Sequence, residues 1–376
     1  MTDVQIESIE TDELDYSNDD LFNITSWGAD MSFRELISMY DDNELLKPEL
    51  QRKYVWDKVE ASRFIESILL GLPIPSIFLA RTVENNMLII DGYQRIMTVY
   101  DYVKKGIFSK DNSIFRLTKN EKINERWRGK AFHELSESDQ KKIRQTTIHA
   151  IIFESKNKRQ DRNDSSLYQI FERINTSGKV LKPQEIRNCV YQGPLNRLLF
   201  ELNLNLKWRA LFGSQLEDSR MSDLEFILRF LGLKDSSIKD KNEGQISLKK
   251  YLNDFMGNEV YNTDSYINES KNIFIDTMNK IYELFGDNAF HNLSSDGVTY
   301  QSRFHPTIFD SISIATAYAI EKNINFSHIE NVRDKHMNLL NNSQFKEFIT
   351  IRTTNVEHIN GRIKLATSIL YGIDYD

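Results

Sequence analysis

The chain has 376 residues, 40% of them apolar, and a formal net charge of −7, enough to bury a sizeable core and to suggest two or three domains. No run approaches the roughly 20 apolar residues of a membrane span, and the first 20 residues are acidic where a secretory leader would be basic and then apolar, so a cytoplasmic protein with no membrane partner is expected. The single cysteine, Cys189, can close no internal disulfide and has no second thiol for a zinc cluster.

Residues 1–20 hold eight acids and no base, and without them 48 bases face 47 acids. The body is therefore near neutral. Residues 1–22 are expected to form a disordered acidic leader, either a solubility aid or a shield over a basic surface. From about 30 to 155, strand-like and helix-like stretches alternate. Asp57 is placed to cap a helix with Glu60 at its third position and Trp56 as a hydrophobic staple. That helix carries Phe64, Ile65, Ile68 and Leu69 on one side and stops at Gly71. Two prolines in L-P-I-P-S-I-F-L-A forbid its continuation, so 76–81 becomes a strand. Asn85-Asn86 turns the chain, and Met87 to Ile90 returns as a strand whose unbroken apolar run predicts burial on both faces.

Residues 91–95 then read Asp-Gly-Tyr-Gln-Arg. The following helix has Ile96, Val99, Tyr100 and Val103 on one face and ends near Gly106, which puts Gln94 and Arg95 in its first turn. Free backbone N–H groups there make an anion site, and Arg95, a cation against the helix dipole, loses about 0.3–1 kcal/mol unless an anion joins it. A bound phosphate would resolve the conflict, since guanidinium matches phosphate oxygens. Asp91 can hold a metal that bridges phosphates, and Gln94 can orient a water. The plainer reading is an Asp-Gly turn with an arginine paired to a nearby carboxylate, and these five residues alone leave the two even.

Basic residues gather between 116 and 173, fourteen against nine acids. W-R-G-K (127–130) and K-N-K-R-Q-D-R-N-D (156–164) stand out as surfaces for DNA phosphates, with Trp127 able to stack on a base or on an arginine; a solvated mixed surface is the commoner meaning of such runs. Beyond about 160 the chain reads helical, around 165–175, 183–192, 194–204, 221–232, 265–285, 306–321, 328–339 and 343–350. Lys234 to Gly244 is the best loop. The seven histidines form no H-E-x-x-H pair, which argues against a dedicated zinc site. T-N-V-E-H-I-N-G-R-I (354–363) reads as a capped terminal helix.

Four blocks in order, Q-R-K-Y-V-W (51–56), G-L-P-I-P-S-I-F-L (71–79), I-I-D-G-Y-Q-R (89–95) and F-E-R-I-N-T-S-G-K-V-L-K-P-Q-E-I-R-N (171–188), resemble the GmrSD-type restriction-endonuclease N-terminal family over roughly residues 30 to 235. The resemblance implies an α+β fold: a ParB/sulfiredoxin-like nucleotide-binding domain over 23–160, followed by a mainly α-helical region over 161–376. It implies Mg²⁺-dependent binding and hydrolysis of a nucleoside triphosphate of unspecified base, in bacterial defence against phage. Asp91, Gly92, Gln94 and Arg95 match the family's Asp-Gly-Gln-Gln-Arg motif, and Tyr93 replaces its first glutamine. Tyr93 can donate a hydrogen bond and stack on a base but presents no carboxamide. Asp91, Gln94 and Arg95 are thus the implied catalytic set, with Asp91 on the metal; Gln51, Arg52, Gly92, Tyr93, Arg173 and Asn175 are the implied cofactor-binding residues. For Arg173 to Gly178 the structural reading, a helix stop before one opened by Pro183, stands beside the pocket reading. Sulfiredoxin chemistry is closed, because no cysteine occupies the phosphate-binding turn. Many family members add an HNH-type nuclease, of which the chain holds no whole module. The implied partners are the nucleotide, DNA, a separately encoded nuclease or defence protein, and a second copy of the chain. The alternative is a DNA- or protein-binding module that senses nucleotide without hydrolysing it.

Overall fold

The fold is that of a computed structural model describing residues 4–8, 24–47, 54, 56–82, 85–155, 166–174, 181–235, 238 and 244–375. The first half alternates strand and helix: β1 (Ile24–Ser32), α1 (Phe33–Asp41), β2 (Leu45–Leu46), α2 (Lys58–Leu70), β3 (Ile77–Arg81), β4 (Met87–Asp91), α3 (Tyr93–Tyr100), β5 (Ile107–Phe108), β6 (Ser113–Ile114), α4 (Glu137–Gln145) and β7 (Thr147–Ser155). The second half is helical: α5 (Ser166–Ile174), α6 (Pro183–Val190), α7 (Pro194–Asn203), α8 (Leu206–Phe212), α9 (Ser222–Lys234), α10 (Leu248–Gly257) and α11 (Asp264–Phe285) precede the hairpin β8 (His291–Leu293) and β9 (Tyr300–Phe304). After it come α12 (Pro306–Glu321), α13 (Val332–Asn341), α14 (Ser343–Thr350) and α15 (Val356–Tyr371). The α+β class with a helical second region is as the sequence reads.

Five strands form one mixed sheet in the order β1-β7-β3-β4-β2. β4 shows why the sheet sits inside the molecule. Its side chains alternate: Met87 and Ile89 join a core with α2 and α3, while Leu88 and Ile90 join the core of the helical body, which also holds Tyr168, Phe171 and Ile186. The unbroken apolar run thus faces two cores. Around it the local signals hold. Asp57 accepts from the Val59 and Glu60 N–H groups at 2.8 Å while Glu60 accepts from the Asp57 N–H at 2.8 Å, and Gly71 closes α2 in the left-handed region at φ 77°. Trp56 meets Phe64 edge-on at 5.6 Å, one turn further along than a staple contact.

Three departures have physical causes. The helix of Ile96 and Val99 does not run on at a 3.6 period: residues Asp101–Lys105 form a π-turn. Its extra residue rotates the face, so Asp101 and Tyr102 are buried and Val103 is only half-buried. In the second half, β8 and β9 interrupt the helices around a turn in which Asp296 accepts from the N–H groups of Val298 and Thr299 at 2.9 Å. Within the expected disordered leader, residues 4–8 are placed: Ile6 bridges Phe304 in parallel, the Glu7 N–H donates to Phe304 at 2.9 Å, and the Phe304 N–H returns a bond to Gln5 at 2.9 Å. Val4 and Ile6 supply the apolar contact with the helical core, an attachment that a charge count cannot register. Residues 9–23 and most of 234–244 lie outside the described residues.

The helical core buries charge as well as hydrocarbon. Asp310 on α12 accepts from Arg229 Nε at 3.1 Å and Nη2 at 2.5 Å, and from Arg362 Nη2 at 3.1 Å. Burial is the first influence on Arg362 and lowers its pKa to about 10. His305 and His336 are buried too, and burial pushes each imidazole down to about 4 from its ordinary 6.5. Between those values the unfolded chain binds protons that the folded chain refuses, so stability falls as pH drops from 6.5 toward 4. The loss expected is on the order of 2–3 kcal/mol per histidine. Urea unfolding followed across that range should show His336→Gln with a shallower decline than the parent; parallel curves would contradict a neutral buried imidazole.

Candidate functional site

Asp91 is the last residue of β4, and Gly92 turns the chain directly into α3. Gly92 has φ 102°, and a Cβ there would stand 2.3 Å from Ile77 Cγ2. Glycine is required twice over, by the backbone and by the contact with β3. The turn therefore brings the carboxylate of Asp91 and the first turn of α3 together as one rigid unit.

Arg95 locks that unit to the rest of the sheet. Its Nη1 donates to the carbonyl oxygens of Pro75 at 2.8 Å and Ser76 at 2.9 Å, and its Nη2 donates to Asp91 Oδ2. The Arg95 side chain is 12% exposed, that of Asp91 43%. The conflict between a guanidinium and a helix N-terminus is met here inside the chain, by the carboxylate four residues back and the two carbonyls leading into β3. Asp91 Oδ1 has no hydrogen-bond partner among the described residues. The group presented outward is thus an arginine-buttressed carboxylate, with the guanidinium tucked behind it.

Gln94 reaches a different neighbour. Its Oε1 accepts from the Trp56 N–H at 3.3 Å, and its carbonyl accepts from Thr98 Oγ1 at 2.7 Å, which also meets the Tyr54 hydroxyl at 2.5 Å. The residues just after Gln51 and Arg52 are in this way stitched to the motif helix. Gln51 and Arg52 themselves lie outside the described residues. Sequence reading missed Tyr54 and Thr98, for which alternation of polar and apolar residues gave no signal; Trp56 it assigned only to the helix cap.

Tyr93 is half-buried against the α2–α3 core, where desolvation raises its phenol to about 12. Asp101, fully buried beneath the same helix, is pushed up first by desolvation and pulled down by bonds from Ser109: the Ser109 N–H at 2.8 Å and Oγ at 2.9 Å. Arg173 stands exposed near the end of α5, on the helix whose Tyr168 and Phe171 belong to the same core as Leu88 and Ile90 of β4. Asn175 lies outside the described residues. Lys182 offers only its N–H, at 2.7 Å, to Glu185, the half of a capping box that a lysine can make, ahead of Pro183 at the first helical position.

Trp127 does not offer a face to a base. It is 5% exposed, its Nε1 donates to Asp139 Oδ2 at 3.1 Å, and Arg126 lies over its ring at 5.7 Å. Arg128 bonds the Ile123 carbonyl through Nε at 3.0 Å. W-R-G-K is a structural turn, because an indole with a carboxylate partner and a closed core is held more firmly inside than a surface platform would be. Residues 156–164 lie outside the described residues. His358 Nδ1 meets the Ile351 carbonyl at 2.7 Å, on the helix that Asn355 caps.

Residues 33–192 match the model of the GmrSD restriction endonuclease, N-terminal domain. This segment is similar to that domain. The matched segment takes in the sheet from α1 onward, the Asp91–Arg95 turn, and α5 and α6 of the helical body. No curated protein and no solved structure matches the chain. Among the described residues no group of three or more His, Cys, Asp or Glu side chains is arranged to hold a metal ion, and no helix is long and apolar enough to cross a membrane.

The Gly92 contact generates a comparison. Gly92→Ala should cost at least about 2 kcal/mol, from left-handed strain plus the Ile77 collision. Gly106→Ala, at φ 68° with nothing within 4 Å of its Cβ, should cost about 1 kcal/mol. Denaturant midpoints of the two variants check this, and equal losses would mean that Ile77 does not press on the turn.

Proposed function

We propose that the turn from Asp91 to Arg95 binds a nucleoside triphosphate with Mg²⁺, in a ParB/sulfiredoxin-like domain serving a bacterial defence or DNA-processing system. The observation that carries the reading is the half-exposed Asp91 carboxylate, fixed at the mouth of α3 by Arg95, inside a GmrSD N-terminal domain. Mg²⁺ on nucleotides commonly takes one or two carboxylates and completes its shell with phosphate oxygens and water, and Asp91 Oδ1 fits the single-carboxylate form. The N–H groups of the first turn of α3 would face phosphate. Arg95 would act chiefly by holding Asp91 and the 75–76 carbonyls in place, and would reach phosphate only by exchanging Asp91 for it. Gln94, steadied by Trp56, would orient a water; Tyr93, Gln51, Arg52, Arg173 and Asn175 would complete the nucleotide's surroundings.

The second reading is a nucleotide sensor without turnover, contacting DNA or a separately encoded nuclease. Two observations favour it: the guanidinium is already engaged within the chain, and a tyrosine replaces the motif's first glutamine.

Two measurements separate the readings. Thermal unfolding with each of ATP, GTP, CTP and UTP plus Mg²⁺ should show about 2.7 kcal/mol of added stability at roughly 100 times the dissociation constant, and Asp91→Asn should abolish the gain. Phosphate release by wild type, Asp91→Asn and Arg95→Lys, with and without DNA, then tests turnover. Hydrolysis predicts a loss on the order of a hundredfold for Asp91→Asn; equal rates in all three would leave the sensor. No stabilisation by any triphosphate would remove both.

A further inference from the structure

The two edges of the sheet are unlike. β2 ends it with two residues, whereas β1 ends it with nine, paired to β7 without a register shift from Ile24↔Ser155 to Ser32↔Thr147. The Phe33 N–H continues that ladder to the Thr146 carbonyl at 3.1 Å. Because bonding residues alternate along an antiparallel pair, the backbone groups of Thr25, Trp27, Ala29 and Met31 face β7. Those of Ile24, Ser26, Gly28, Asp30 and Ser32 face away from it. Ser26, Gly28 and Asp30 are also exposed, and no described residue pairs with that side of β1.

Natural edge strands are blunted by prolines, lysines, bulges or brevity. Ile24–Ser32 has none of these. Its one charge, Asp30, is drawn sideways to His149 Nδ1 at 2.8 Å across the sheet. Gly28 has no side chain, and the His149 ring fills the space where one would stand, 2.7 Å from an added Cβ.

We infer that β1 is a pairing edge for a second copy of this chain, the two sheets joining antiparallel about a two-fold axis at Gly28. A closed two-fold contact must complement itself, and this strand does. With Gly28 opposite its own copy, Ser26 faces Asp30, Ile24 faces Ser32, Trp27 faces Ala29 and Thr25 faces Met31. No acid meets an acid, the largest side chain meets a small one, and the axis carries no side chain. The Gly28 pair and the Ser26–Asp30 pairs each exchange two backbone hydrogen bonds, while Ser32, whose carbonyl opens α1 as its N-cap, leaves its N–H to the Ile24 carbonyl. The inference is independent of any nucleotide.

Charge swaps at Ser26 test the register. In sedimentation equilibrium of the full chain, wild type should form a dimer as concentration rises. Ser26→Asp sets two carboxylate pairs against each other and should weaken association about tenfold; Ser26→Lys, opposite Asp30, should hold or tighten it. Ser26→Pro removes an outward N–H without touching the β7 ladder and should leave a folded monomer by circular dichroism. A wild type monomeric throughout the micromolar range overturns the inference. So does a dimer indifferent to all three substitutions, or a proline variant that loses stability with no change of mass.

Discussion

Everything near the motif depends on β4 being buried on both faces. Because Met87 and Ile89 belong to one core and Leu88 and Ile90 to another, the strand cannot slip by one residue without exchanging two matched sets of side chains, nor by two without withdrawing a pair from its core. Asp91 stands where that constraint ends. Gly92, pressed against Ile77, then fixes the direction of α3, and Arg95 ties its first turn to the loop before β3. The carboxylate is thus held by Arg95 at the end of a fixed strand while remaining partly open to solvent.

The helical half solves a different problem. Its central helix α12 is buried from Pro306 to Ala317, so it has no polar face to present to water and takes its register from buried polar groups instead. Asp310 collects Arg229 from α9 and Arg362 from α15, joining three helices at one carboxylate. Buried ion pairs of this kind add little net stability over hydrocarbon of the same shape, but losing one partner leaves a charge stranded. The second half is thereby a scaffold with a defined geometry against the sheet, shared with the family domain through α5 and α6.

Much of the candidate site could be read in the residues. The stop at Gly71, the prolines before β3, the Asn85 turn and the Asp-Gly turn all follow from local backbone chemistry, which survives in any context. The side-chain partners did not follow. That Arg95 faces Asp91 and two carbonyls, that Gln94 meets Trp56, and that Trp127 donates to Asp139 are contacts between segments whose approach is set by the sheet. The π-turn after Tyr100 was hidden for the same reason: a 3.6-residue period assumes regular bonding, whereas Asp101 is buried and bonded by Ser109 eight residues on. The β8–β9 hairpin had an Asp-Gly turn to announce it, yet its strands are too short for period-two alternation to stand out from helical spacing.

By itself the amino-acid sequence determined the α+β class, the resemblance of its first half to a known family, and the element limits around the motif at Asp57, Gly71, the prolines before β3 and Gly92, because these rest on glycine and proline backbone limits, capping side chains and apolar periodicity. Tertiary structure alone decided which polar groups meet: whether the Arg95 guanidinium points to an open mouth or to Asp91, and whether residues 4–8 float or lie along β9. Those choices turn on which distant surfaces are brought within hydrogen-bond distance, a property of the folded chain that no local pattern encodes.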